Sequence, residues 1–77
     1  MLIIMMHPEE GPGTPINIAA THTEAIELIQ SDLKSRHQRL LKGQDPGECP
    51  FEYQVWGQER HGYQLHHVYP AQMVAAR

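Results

Sequence analysis

The sequence predicts a small α+β domain in which a four-stranded, mostly antiparallel sheet carries one long helix on one face, in the order ββαββ. Three observations predict it. One segment, Thr21 to Lys42, has helical periodicity, and a pair of short β-favouring segments flanks it on each side. Two turn-rich stretches divide the chain: Pro8 to Pro15, with Pro8, Gly11, Pro12, Gly13 and Pro15, and Gly43 to Pro50, with Gly43, Pro46, Gly47 and Pro50. At 77 residues the whole chain, residues 1–77, is expected to form a single domain, because so short a chain cannot divide its burial between two cores.

The first pair of strands is read as Leu2 to His7 and Ile16 to Ala20, joined as a wide hairpin through the Pro/Gly-rich loop. Leu2, Ile3, Ile4, Met5 and Met6 are apolar on both faces, the pattern of a central strand. Pro15 lacks a ladder donor and so marks its own strand as an edge. The first and third strands are therefore expected to be central and antiparallel.

The helix opens on Thr21-His22-Thr23-Glu24, which fits a capping box in which Thr21 accepts from the Glu24 amide and Glu24 reaches back. Ile26, Ile29, Leu33 and Leu40 form one stripe, with His37 in its gap, and Ala25, Leu28 and Leu41 widen it. Glu24 and Glu27 lie near the start, Arg39 and Lys42 near the end, as the helix dipole favours, and Asp32 with Arg36 makes an i,i+4 pair. Gly43 supplies the C-cap and Pro46 prevents continuation.

The last segment reads as a hairpin of Phe51 to Trp56 and Tyr63 to Tyr69, turning over Gly57 to Gly62 with positive φ at Gly62. Strict alternation would place Phe51, Tyr53 and Val55 on one face together with Tyr63, Leu65, His67 and Tyr69, and turn Trp56 and Val68 the other way. A slip of one residue would exchange those faces. The tail, with Met73 and Val74, either folds over the open face or leaves it bare.

Composition narrows the function. Six Lys plus Arg against nine Asp plus Glu give a net charge of −3, which argues against a large footprint for nucleic acid. The lone Cys49 forms no intrachain disulfide and implies no oxidising compartment, so the expectation is cytoplasmic. The apolar run Leu2 to Met6 is much shorter than the roughly 18 residues of a membrane span.

No constellation in the chain has catalytic spacing, so no enzymatic activity, catalytic residue or cofactor is expected. Cys49 sits between Glu48, which disfavours a thiolate, and Pro50. The Gly11-Pro12-Gly13 loop lacks a phosphate-binding pattern. Cys49, His61, His66 and His67 are potential metal ligands, but adjacent His66 and His67 in a regular strand would point to opposite faces, so no metal site is predicted.

What remains is a surplus of apolar surface. One helix covers one face of the sheet, leaving Trp56, Val68 and alternate members of Leu2 to Met6 on the other, a composition suited to an interface. The chain is therefore expected to be a protein-interaction module, either homodimeric or acting as an inhibitor or adaptor of a larger complex. Its predicted contact residues are Trp56, Val68 and His66, with Tyr69 at the margin. The alternative is a nucleic-acid-binding module using Arg36, Arg39 and Lys42 in the basic half of the helix.

Overall fold

Apolar residues on both sides of the first strand place it inside the sheet. The computed structural model describes residues 1–72, with elements β1 (Leu2–Pro8), β2 (Thr14–Ala19), α1 (His22–Leu41), β3 (Pro50–Glu59) and β4 (Gly62–Pro70). The strands form one antiparallel sheet in the order β2-β1-β3-β4. The α+β architecture, the ββαββ order and the central first and third strands are those the sequence predicts. Pro15 lies in edge strand β2, where its missing N–H interrupts no interior ladder.

Register assigns every strand residue to a face, because residues opposite each other in an antiparallel pair share a side. Leu2 faces Gly57 and Ala19, Ile4 faces Val55, and Met6 faces Tyr53. These residues meet α1. Ile4, Ile29, Tyr53, Val55 and Ala25 are fully enclosed, with Leu2, Met6 and Ala19 beside them and Leu28, Leu33, Ile16 and Tyr69 packed around. Ala71, just past β4, is buried in this same core. The predicted alternative that Met73 and Val74 cover the opposite face lies outside the described residues.

The helix ends are formed as the sequence predicts. The Thr21 hydroxyl accepts from Glu24 N at 3.1 Å, and the Glu24 carboxylate accepts from Ala20 N at 3.2 Å, one residue before the usual capping-box partner. At the other end Gly43, at φ +73°, donates to Leu40 O while Gln44 donates to Arg39 O, a Schellman closure. The apolar stripe, however, outruns the sheet: Leu40 and Leu41 are 60% and 73% exposed. A helix of 20 residues is about 30 Å long, and the sheet beneath it is narrower.

The second hairpin departs from strict alternation. Its turn is only Arg60 and His61, with φ +123° at Gly62, so Gly57 lies inside β3 rather than in the turn. Between Val55 and Trp56 the register shifts: Val55 pairs with His67 and Trp56 with Leu65, leaving His66 as the extra residue of a β-bulge. The bulge changes the parity of β4. Tyr63 and Leu65, expected on the helix side, lie on the open side with Trp56. Tyr69 pairs with Tyr53 on the helix side and is packed against the core, so it is not at the open margin. His66 turns to the helix side as well, and is not an open-face residue.

Candidate interaction surface

The face of the sheet away from α1 is left uncovered among the described residues. Cross-strand pairing builds it in rows. Ile18, Ile3, Trp56 and Leu65 run across all four strands, and Pro15, Met5, Gln54 and Val68 form the next row. Tyr63, opposite Gln58, extends it at one end, and His7, Glu52 and Pro70 close the other. Ile18, Tyr63, Leu65 and Val68 are 55%, 54%, 41% and 44% exposed, while Ile3, Met5 and Trp56 are half-buried between them. An open groove of about 250 Å³ runs along the centre, lined by Ile3, Met5, His7, Gln54, Trp56 and Tyr63.

The polar groups of this face are mostly paired with one another. Trp56 Nε1 donates to Gln54 Oε1 at 2.9 Å, and Gln54 Nε2 donates to Glu52 Oε2 at 2.8 Å, each partner two residues along β3 on the same side. The chain of bonds leaves the indole and amide donors satisfied beneath the apolar surface. His7 Nε2, at the end of the groove, is buried and without a partner among the described residues, and its ring occupies the space a Cβ would take at Gly13. Glu52 is the one formally charged residue in these rows.

The structure thus places predicted contact residues Trp56 and Val68 on the open face, and His66 and Tyr69 on the other. Ile18, Tyr63 and Leu65 are part of the face and are not among the contacts the sequence predicts. A signal for two of them exists in the sequence. Tyr63, Leu65 and Val68 share a side only if one extra residue lies between Leu65 and Val68, and a glycine inside a strand, here Gly57, commonly marks a bulge or a close approach.

Of the basic residues in the alternative reading, Arg36 has structural employment. Arg36 Nε donates to Asp32 Oδ2 at 2.8 Å, and Nη1 donates to Pro46 O and Glu48 O at 3.1 and 3.0 Å, tying the loop before β3 to the helix. The Tyr53 hydroxyl donates to the same Asp32 oxygen from the sheet. Burial, followed by that bond, holds the Tyr53 phenol well above its ordinary value of 10. Arg39 is half-buried, with its Nε atom enclosed and without a partner among the described residues, and exposed Lys42 caps the helix through its backbone N–H. Of the three, Arg36 is the one whose guanidinium is committed to bonds within the fold.

On the helix side, beyond the core, the bulge turns His66 and His67 towards the same neighbour. His66 Nδ1 lies 3.4 Å from His22 Nε2, and the His67 ring meets the His22 ring edge-on with centroids 5.1 Å apart. The expectation that adjacent His66 and His67 diverge is overturned, because a bulged residue no longer obeys the twofold alternation of a strand. Cys49 and His61 are not part of this group. Among the described residues no three His, Cys, Asp or Glu side chains are grouped to hold a metal ion, and no helix is long and apolar enough to cross a membrane.

No protein-family model, no curated protein and no solved structure matches the chain.

Proposed function

We propose that this chain is a protein-interaction module that acts through its open sheet face, and that the surface it meets is the same face of a second copy. The observation that carries this reading is an apolar row across all four strands whose neighbouring indole and amide donors are already bonded along β3. Desolvating such a face gains apolar burial at about 25 cal/mol per Å² without orphaning those donors.

Charge favours a second copy over a different protein. Four strands at about 4.8 Å spacing, over rows some six residues long at about 3.3 Å, span on the order of 400 Å² in projection. That is half of the roughly 800 Å² a partner gives to a standard interface before the rim is counted. Glu52 stands at one end, so two faces related by a twofold axis bring apolar rows together with no like-charge row at the centre. Sheets packed in this way about 10 Å apart form a sandwich with each helix outside. The single exposed Cys49 fits a reducing compartment, and we read the module as cytoplasmic.

Sedimentation or light scattering over a concentration series tests this directly. The wild-type chain is expected at twice 8.8 kDa, Leu65→Glu and Val68→Glu at the monomer mass, and His66→Ala, on the other face, at the dimer mass. A monomeric wild type would end the self-association reading and leave the face to a different protein, as an inhibitor or adaptor would use it.

A further inference from the structure

The histidines gathered by the β4 bulge lie across the sheet from the open face and play no part in the interaction reading. We infer that His22 and His66 are the two protein ligands of a divalent transition-metal site of the zinc type, with Glu59 orienting His66 from behind.

Three features build the site. The carboxylate of Glu59 lies 3.0 Å from His66 Nε2, and because a carboxylate accepts, that nitrogen carries the ring proton. In the neutral ring the lone pair is then on Nδ1, the nitrogen that lies 3.4 Å from His22 Nε2. The ring centroids are 5.4 Å apart, so the closest approach of the two rings is through these nitrogens. Two nitrogens bound to one zinc ion at about 2.05 Å with a tetrahedral angle lie about 3.3 Å apart, so the pair already has the spacing of neighbouring ligands. A carboxylate behind a ligating histidine fixes its tautomer and raises its basicity, the usual outer partner of such a site.

The backbone is shaped around this pair. The bulge frees His66 from strand alternation, and its ring fills the space above Gly57, where any Cβ would collide with it. His67 stands edge-on to His22 and near-parallel to Tyr69, so the His22 ring is flanked by both His66 and His67. Two imidazoles suit zinc, copper or nickel and not calcium or magnesium, whose ligands are oxygens. With two protein ligands, two waters would complete a tetrahedral shell, one protein ligand fewer than in the open sites of zinc enzymes.

The test is titration of ZnCl2 into the 77-residue chain at neutral pH in a Cys49→Ser background, which removes a competing exposed thiol. Histidine ring 1H–15N spectra and calorimetry provide the readouts. One equivalent should saturate the chain, with the ring signals of His22 and His66 moving together while those of His37 and His61 stay. His22→Gln and His66→Ala should each weaken binding at least about tenfold, and so should Glu59→Ala. Gly57→Ala, which displaces the His66 ring without removing a ligand, should weaken it too, with CD reporting an intact fold. Calcium should produce no shift. Absence of saturable zinc binding, or equal uptake by His22→Gln and His66→Ala, would overturn the assignment.

Discussion

Asp32 joins three parts of the molecule through one oxygen. On α1 it accepts from Arg36 Nε, which in turn holds the carbonyls of Pro46 and Glu48, and from the sheet it accepts the hydroxyl of fully buried Tyr53. Asp32→Ala would leave that hydroxyl enclosed without an acceptor and release Arg36 from its anchor. A lost partner for a buried polar group costs about 1 to 3 kcal/mol, a large share of the net stability of so short a chain, and urea unfolding should show a loss of that size. Arg36→Lys should recover little, because an ammonium lacks the planar fork that serves a carboxylate and two carbonyls together. The same cluster sets an alkaline limit. Above about pH 10 an unfolded tyrosine releases its proton. Tyr53 in the folded chain keeps its own, because burial and Asp32 raise its pKa. The unfolded state then binds fewer protons, so stability is unaffected by this group below about pH 10 and falls by about 1.4 kcal/mol per unit above it. Tyr53→Phe should remove that component of the slope in denaturant titrations between about pH 9 and 11.

At the scale of elements, the helix divides into a part that holds the fold and a part that extends past it. Ile29 and Ala25 are fully enclosed, while Leu40 and Leu41 belong to the same apolar stripe yet stand in solvent. Ile29→Ala should cost about 2 to 5 kcal/mol as a cavity mutation, whereas Leu41→Gln should stay within about 0.5 kcal/mol; thermal unfolding of the two variants separates these outcomes. The helix was legible because its ends depend on local chemistry: Thr21, Glu24 and Gly43 bond neighbours within a few residues. How far the sheet extends beneath it is a property of other segments, so periodicity alone could not separate Ile29 from Leu40. The β4 bulge shows the same division at smaller scale. Val68 and Trp56 fall on the open face in either reading, but one unpaired residue, His66, moves Tyr63 and Leu65 to that face and brings His66 and His67 together beside His22. That outcome depends on Gly57 across the ladder, which admits the His66 ring. It is a tertiary fit that alternation along one strand does not express.

The whole molecule is a slab of two layers. Its extents are 44 × 26 × 18 Å, and its radius of gyration of 12.6 Å exceeds the roughly 11.5 Å of a compact domain of this length. One layer is α1, the other the sheet, and the apolar rows lie on the outside of the second. If a second copy covers those rows, folding and association are linked, and stability must depend on protein concentration. A tenfold dilution removes about 1.4 kcal/mol per dimer, or about 0.7 kcal/mol per chain, which for this length corresponds to a fall of about 3 to 5 °C in Tm. Leu65→Glu places a charge in the row that crosses all four strands, at a residue 41% exposed in the single chain. It should abolish the concentration dependence while leaving Tm near the wild-type value extrapolated to high dilution, since an exposed substitution costs the lone chain within about 0.5 kcal/mol. Calorimetric scans of both proteins over a wide concentration range decide the matter. A sloping wild type beside a flat variant means that the rows are buried between copies, whereas two flat lines at one Tm mean that the single chain is the folding unit and its outer face serves another protein.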